Sequence, residues 1–182
     1  ERNVRAVVLV LKAEPASSTA HAEELAGALS ALHDQGIKVL CHTEFGGGKT
    51  LLACSSADRI LIQPAGGIRF AGLRSEGMYF GDALRKLGIE PEIVRIKESK
   101  SAPEAYVRSG PTETAARNVG EMLASLESIY GSYLARGRHL TAPEVKAAIA
   151  RGPFVADEAV ANKLVDAKAF DDEIPAHLRE LL

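Results

Sequence analysis

Residues 4–11 read Val4-Arg5-Ala6-Val7-Val8-Leu9-Val10-Leu11, a nearly continuous apolar run. Such a run is typical of a parallel strand that is buried on both faces. Ser17-Ser18-Thr19 follows and can cap a helix over residues 20–35, which Gly36 ends. The apolar positions that share one face of this helix are Leu25, Ala28, Leu29 and Leu32.

The alternation of strands and helices continues along the chain. We expect strands at residues 37–42, at 59–63 ended by Pro64, at 66–70 as a short edge segment, and at 92–96. Thr112 can cap a long helix, and Thr141-Ala142-Pro143-Glu144 forms a capping box with proline just inside the helix start. Helices are expected over residues 49–56, 78–87, 112–136, 142–150, 157–163 and 174–182. This order predicts a layered α/β domain with right-handed crossovers.

Length and composition exclude several classes of protein. The 182 residues suffice for a hydrophobic core, and we expect them to form a single domain. A net charge of −2 argues against a surface that binds nucleic acid or an anionic membrane. No apolar run approaches the roughly 20 residues of a membrane span, and no signal peptide precedes the first strand. Because the chain opens without methionine, we expect it to be a piece of a longer protein from which an anchor or signal is missing.

Cysteine and histidine give no sign of a metal site. Cys41 and Cys54 both lie in apolar surroundings, which favours buried structural thiols over a disulfide or a nucleophile. The five histidines show no ligand spacing such as H-x-x-x-H. We expect neither a metal nor any other cofactor.

A glycine-rich turn resembles part of a phosphate-binding loop. Gly48-Lys49-Thr50 matches the end of the G-x-x-x-x-G-K-[ST] pattern, but Thr43 stands where its first glycine belongs. No acidic residue ends the following strand, which closes on Gln63-Pro64. The alternative is a turn that lets a helix pack closely on the sheet, and we favour it over nucleotide binding.

Lys100 is the candidate for chemistry. It follows the predicted strand at residues 92–96, within Lys97-Glu98-Ser99-Lys100-Ser101. Most lysines are solvated surface charges, but burial lowers the pKa of a lysine, and the neutral amine is a general base. A self-contained serine hydrolase is not indicated, because the chain has no G-x-S-x-G motif.

Several segments together carry a family resemblance over nearly all of the chain. They are residues 51–64 (Leu51-Leu52-Ala53-Cys54 to Pro64), 72–80 (Gly72-Leu73-Arg74 to Phe80), 95–103 around Lys100, and 159–166, which ends in Lys163-Leu164-Val165-Asp166. In this order they resemble the N-terminal half of signal peptide peptidase A, also called protease IV. This family of serine–lysine peptidases has the crotonase/Clp-protease-like fold, a layered β-α superhelix, here with a helical C-terminal extension.

The resemblance implies a divided active site. In the long form of the family two similar halves are fused, the N-terminal half supplying the lysine base and the C-terminal half the serine nucleophile. The resemblance makes Lys100 the base, with Lys97 the weaker candidate. It also places Gly48 at the position where an active half carries its serine. The glycine pair that serves the oxyanion hole is also missing, because the chain reads Lys12-Ala13-Glu14-Pro15-Ala16 there. We therefore expect the chain alone to be inactive.

The resemblance also sets expectations for the whole protein. The whole protein would be an oligomer that degrades remnant signal peptides at the outer side of the cell membrane. Its substrates would be extended apolar peptides, and it would not bind nucleic acid. Two alternatives remain. One is an acyl-CoA-handling crotonase, against which the absent glycine pair near Ala13 counts. The other is a non-catalytic domain of the same fold that serves assembly.

The long helix predicted at residues 112–136 carries more apolar surface than a short sheet layer needs, including Tyr130 and Tyr133. Such surface often marks an interface. We expect it, with the Lys100 segment, to pack against the partner half or a neighbouring subunit. The alternative is that both tyrosines cover the chain's own core.

Overall fold

The computed structural model describes residues 4–94, 96–97 and 100–182. Within them the chain forms two compact units. The first, unit 1, joins the chain up to Gly72 with Ile129–Leu182, and the second, unit 2, is Leu73–Ser128. Each is described by itself below, and the expectation of a single domain over residues 1–182 stays a prediction.

The described residues contain five strands and eight α-helices. The strands are β1 (Ala6–Leu11), β2 (Lys38–Gly46), β3 (Arg59–Ile68), β4 (Phe154–Val155) and β5 (Ala167–Lys168). The helices are α1 (Thr19–Asp34), α2 (Gly48–Cys54), α3 (Gly81–Lys86), α4 (Glu104–Val107), α5 (Glu113–Gly137), α6 (Ala142–Arg151), α7 (Ala156–Ala161) and α8 (Ile174–Leu181).

Unit 1 is built on a sheet in which β1, β2 and β3 lie side by side and parallel. β5 pairs parallel with the beginning of β3, and β4 pairs antiparallel with its end. β1 has one neighbour in this sheet and is only half-buried, with Val10 43% exposed. The apolar run at residues 4–11 therefore forms the predicted parallel strand, but at the edge of the sheet.

Helices cover both faces of β2. Leu40 and Leu61 pack on one face against Ile174 at the start of α8. On the other face Cys41 lies against Cys54 of α2, and the hydrogen bond between the thiols and their burial together raise the pKa of Cys54 well above its usual value. Both cysteines are free and buried, which confirms the prediction of structural thiols.

The predicted helix caps are found in the structure. Ser18 Oγ accepts from the backbone N–H of His21, and Gly36 has the left-handed φ of 77° that ends α1. Thr141 and Glu144 form the expected capping box, with the backbone N–H of Thr141 donating to Glu144 Oε2 over 2.7 Å. The face of α1 is shifted from the expectation: Ala22, Ala26 and Leu29 are buried, and Ala28 is exposed.

β3 continues through the proline that was expected to end it. Thr43 of β2 pairs with Ile62 and Phe45 pairs with Gly67, so that residues 63–66 of β3 stand opposite Glu44 alone. Pro64 lies in this register shift, where no ladder hydrogen bond from its nitrogen is needed. The two strands predicted at residues 59–63 and 66–70 are therefore one.

Two aspartates hold the beginnings of neighbouring strands. Asp58 Oδ2 accepts from the backbone N–H of Val39 over 2.8 Å, and Asp166 Oδ2 accepts from that of Ile60 over 2.7 Å. Both backbone N–H groups are thus satisfied by side chains from outside their strands. The Lys163-Leu164-Val165-Asp166 segment therefore has a structural role at the start of β3.

Unit 2 is helical in its described part. α3 begins three residues later than predicted and is followed by Gly88 at φ 74°. Thr112 caps α5 as predicted, accepting from the backbone N–H of Ala115, and it donates to the buried carboxylate of Glu104.

The strand expected at residues 92–96 is wrong for the residues that can be described. Residues 92–94 and Ile96 are irregular, and Arg95 lies outside the described residues, as do Glu98 and Ser99. The described part of unit 2 contains no strand with which this segment could pair. Its β-prone side chains stay in solvent, with Val94 93% and Ile96 74% exposed.

Candidate functional site

Gly48 follows the end of β2 and opens α2, at the edge of the sheet where the carboxyl ends of the parallel strands meet. A Cβ at Gly48 would lie 2.9 Å from Cε2 of Phe70 and 3.1 Å from Cε1 of Tyr130. The first distance would require Phe70 to shift, and the second is tighter than most real contacts, so that Tyr130 would also have to give way slightly. The position predicted for a serine in an active half is therefore filled by two aromatic rings.

The two rings belong to one packed arrangement. Phe70 and Tyr130 lie with their centroids 5.1 Å apart and tilted by 45°, a favourable aromatic geometry. Tyr130 is only 4% exposed, and its hydroxyl lies 3.2 Å from Thr19 Oγ1 at the start of α1. Tyr130 thus covers the core of unit 1, and the expectation that it lies at an interface is wrong for this tyrosine.

A carboxylate occupies the glycine turn beside Gly48. Thr50 Oγ1 donates to Glu14 Oε1 over 3.1 Å, and that oxygen would be 2.3 Å from a Cβ at Gly47. Glu14 belongs to the Lys12–Ala16 segment, where the resemblance predicts the glycine pair of the oxyanion hole. An oxyanion of a reaction intermediate could not be stabilised next to a carboxylate of the same charge.

Lys12 lies in a separate polar cluster at the same edge. Its Nζ is 2.6 Å from Asp171 Oδ2 and 2.7 Å from Glu44 Oε1. The hydrogen bonds that Lys12 donates to Asp171 and Glu44 raise the pKa of Lys12 above its ordinary value. Lys12 is held in its charged form and is therefore a poor proton acceptor.

His42 is fully buried beneath this cluster. Its Nε2 lies 2.9 Å from the carbonyl oxygen of Ala169, which can only accept, so Nε2 carries the hydrogen. Its Nδ1 lies 3.4 Å from Asp171 Oδ1. The histidine thus joins β2 to the segment after β5.

Lys100 lies in the irregular segment between α3 and α4 in unit 2, and it is exposed. It makes no hydrogen bond or ion pair with a described residue. Lys97 is also exposed and has a left-handed backbone with φ 71°. The assignment of Lys100 as the base, with Lys97 as the alternative, stays a prediction.

The described residues, which omit Glu1–Asn3, Arg95, Glu98 and Ser99, contain neither a metal-binding cluster nor a membrane-spanning helix. No group of three or more His, Cys, Asp or Glu side chains is placed to hold a metal ion. Among the described helices none has the length and apolar character needed to span a membrane.

The fold is shared with a known peptidase structure. The crystal structure of a peptidase from Plasmodium falciparum superposes with a TM-score of 0.52, covering 92% of this chain and 79% of that one at 9% sequence identity. At this identity the likeness concerns the fold alone. With the sheet described above, it supports the predicted class, an α/β fold of the crotonase/Clp-protease type.

The family follows from the sequence. The model of peptidase family S49 matches residues 31–182, and the chain belongs to this family. Over 117 residues, 64% of the chain, it is 30% identical to Protease 4 of Haemophilus influenzae. Over 183 residues, 96% of the chain, it is 26% identical to Protease 4 of Salmonella typhi. The chain spans 19% and 29% of the length of these two relatives.

Three residues at the glycine turn were not assigned to it from the sequence. Glu14, Phe70 and Tyr130 come from the loop after β1, the residues just after β3 and the C-terminal part of α5, and only the fold brings them together. One local signal existed for Glu14, because an acidic residue stands in the segment where the family has glycines.

Proposed function

We propose that this chain is the lysine-bearing N-terminal half of a serine–lysine peptidase of family S49. The observation that carries the proposal is the filled position at Gly48. A half that has lost both the nucleophile and the space for it cannot cleave a peptide by itself. Its contribution to catalysis must then be a group that a second half uses.

Lys100 is that group in our proposal. A serine hydroxyl becomes a nucleophile when a neighbouring base takes its proton, and a lysine can do so when it is desolvated. Lys100 is exposed and has no partner among the described residues, so its amine is available to a second protein surface. Lys12 does not fit this role, because two carboxylates hold it in the charged state.

The second surface would be the serine-bearing half or a neighbouring subunit of the same oligomer. Unit 2 exposes several large apolar side chains around the Lys100 segment in sequence. The most exposed are Met78 (76%), Leu87 (73%), Val94 (93%) and Ile96 (74%). Exposed apolar surface of this kind marks interaction sites. Covering it would desolvate Lys100 at the moment of assembly.

The proposed substrates are remnant signal peptides, bound as extended apolar chains at the outer side of the cell membrane. The membrane anchor would lie outside the present sequence. Dependence on assembly would protect folded proteins, because the base and the nucleophile meet only in the closed oligomer. No cofactor and no nucleic acid enter this mechanism.

A non-catalytic assembly domain is the second candidate. The same apolar surface of unit 2 favours it, since an interface needs no catalytic lysine. The two functions differ in one residue: the assembly domain would work equally well without the amine of Lys100.

Substitution of Lys100 in the intact protein separates the two functions. Lys100→Ala should lower peptidase turnover by about 10²- to 10⁴-fold or more, because a general base is lost. The oligomer, measured by sedimentation, should be unchanged. Lys97→Ala is the matched control and should keep most of the activity.

Two outcomes would contradict the proposal. Retained activity in Lys100→Ala with loss in Lys97→Ala would move the base by three residues. Retained activity in both variants would favour the assembly domain.

The isolated chain should hydrolyse no fluorogenic peptide and should not react with a fluorophosphonate probe. Stoichiometric labelling would refute the assignment of Gly48.

A further inference from the structure

Unit 1 contains a cavity of about 730 Å³ that lies away from the glycine turn. Its walls come from α1, the ends of α2 and α5, and the turn after α7. Asp58, which holds Val39 at the start of β2, lines it, whereas Gly48 follows the end of β2. Gly46 is seven residues further along β2 than Val39, a distance of about 23 Å at ~3.3 Å per residue. We call it the basic cavity.

The carboxylates of the basic cavity already have partners. Asp58 accepts from Lys38 Nζ over 2.7 Å and from the backbone N–H of Val39, and it pairs with His33 Nδ1 at 3.2 Å. Asp166 accepts from Ile60 and pairs with Arg138. Neither aspartate therefore needs a cation from solution to balance its charge.

The cations of the basic cavity are only partly compensated. Arg136 rests on the ring of Tyr133, 5.0 Å from its centroid, and its one side-chain hydrogen bond to a described residue is to the backbone carbonyl of Ser132. The side chains of Lys163 and His139 make no hydrogen bond or ion pair within the part of the chain that the structure describes, although the charge of Lys163 contributes to lowering the pKa of Glu144. The lining therefore has three permanent cations, with Arg138, against two carboxylates, although the whole chain has a net charge of −2.

Favourable interactions with helix C-termini explain only some of these basic side chains. The ends of α2, α5 and α7 meet at the basic cavity, and basic side chains are favourable near helix C-termini. Arg138 serves that purpose directly, donating from Nε to the carbonyl oxygen of Lys163 over 3.1 Å. Arg136 donates from Nε to the carbonyl oxygen of Ser132 within α5, and among the described residues no carbonyl accepts from the side chain of Lys163.

The backbone at the basic cavity is also unusual. His139 and Lys163 have left-handed φ angles of 53° and 58°. Helix ends commonly place glycine in this conformation, because a side chain makes it less favourable. Here two basic side chains occupy such positions, and both line the cavity.

We propose that the basic cavity binds a phosphate ester. Arginine and lysine recognise phosphate oxygens, and the hydroxyls of Ser30 and Ser56, which bond no described residue, can donate to the same group. The volume exceeds what inorganic phosphate needs and lies in the range of small-molecule sites, so an organic remainder can be accommodated.

The test is a titration of the intact chain with inorganic phosphate, followed by amide chemical shifts at constant ionic strength. The amides of Ser56, Gly137 and Lys163 should shift together and saturate. Arg136→Gln and Lys163→Gly should each weaken binding about tenfold, as expected when one charge-assisted hydrogen bond is lost. Lys163→Gly also removes the unfavourable backbone conformation, so it should not unfold the protein.

Lys146→Gln is the matched control, because Lys146 is exposed on α6 and does not line the basic cavity. Binding that this variant leaves unchanged supports the proposal. No saturation at tens of millimolar phosphate, or equal weakening by all three substitutions, would overturn it.

The source of the phosphate is resolved by two further ligands. Glycerol 3-phosphate represents a soluble ester, and vesicles of anionic phospholipid represent a headgroup. Binding of the soluble ester alone supports a small-molecule ligand. Binding of vesicles as well, lost in Arg136→Gln and Lys163→Gly, supports a lipid.

Discussion

Glu14 Oε1 lies where a side chain at Gly47 would begin, because a Cβ on that glycine would be 2.3 Å from the carboxylate oxygen. The same oxygen accepts the hydroxyl of Thr50, the threonine of the Gly48-Lys49-Thr50 sequence. In a phosphate-binding loop this hydroxyl serves the metal ion and the backbone faces phosphate. Here a carboxylate takes that place.

Nucleotides should therefore not bind at the glycine turn. A phosphate group would have to displace Glu14 or approach a charge of its own sign. Isothermal titration of ATP or GTP with magnesium should give only heats of dilution. If a nucleotide does bind, the Glu14→Gln variant tests whether it binds at the glycine turn. Micromolar affinity that becomes stronger in this variant would revive the phosphate-loop interpretation.

Gly48→Ser should destabilise the protein without creating a nucleophile. The new side chain collides with Phe70 and Tyr130, and overpacking of this kind costs about 1–3 kcal/mol. Gly131→Ser is the matched control, because a Cβ there meets no atom within 4 Å. Urea denaturation and fluorophosphonate labelling are the measurements. A Gly48→Ser variant with the stability of the control, or one that is labelled, would show that the rings do not fill this position.

Asp58→Asn should lower the free energy of unfolding near neutral pH by about 1–3 kcal/mol, since two of the three groups that donate to the carboxylate are partly exposed. Burial raises the pKa of Asp58, but hydrogen bonds from Lys38, Val39 and His33 outweigh it and leave this pKa below the ordinary value.

The pH dependence follows from that direction. A lowered pKa in the folded state stabilises the protein above the unfolded value of about 3.9, and the contribution is lost as pH falls through the folded pKa. The difference between wild type and Asp58→Asn should be constant above about pH 5 and shrink below pH 4. Asp34→Asn, at the exposed end of α1, should show no such change. A difference that stays constant down to pH 2 would contradict this account.

Hydrogen exchange should divide α5 into two parts. Tyr130 and Leu134 are buried in unit 1, so amides after Ile129 should be equally protected in the isolated chain and in the intact protein. Val119 and Met122 are 38% and 51% exposed, and amides of residues 113–128 should gain protection on assembly. Equal protection of both parts in the two samples would remove the proposed interface from this helix.

The sequence predicted those elements whose signals are local. The apolar runs of β1 and β2, the Ser18 cap, Gly36 and the Thr141–Glu144 capping box each act within a few residues, and each was placed correctly. The prediction that Pro64 ends a strand was wrong, because a proline is tolerated where the hydrogen-bond ladder is already interrupted. That interruption depends on Glu44 in another strand.

The site was only partly predictable for a similar reason. Gly48 could be identified from a resemblance, but the rings that fill its position come from residues 22 and 82 positions further on. The segment at residues 92–96 has the composition of a strand, yet a strand needs a neighbour to bond. Composition alone does not reveal whether such a neighbour exists.

The two aspartate clamps differ in when a growing chain can close them. Asp58 reaches Val39 across 19 residues, whereas Asp166 reaches Ile60 across 106. During synthesis from the N-terminus the first contact is possible as soon as α2 and the start of β3 have emerged. The second must wait for nearly the whole sequence, and closing so long a loop is costly and slow. Until then the start of β3 lacks its last hydrogen-bond partner, and a product cut short before Asp166 would never acquire it.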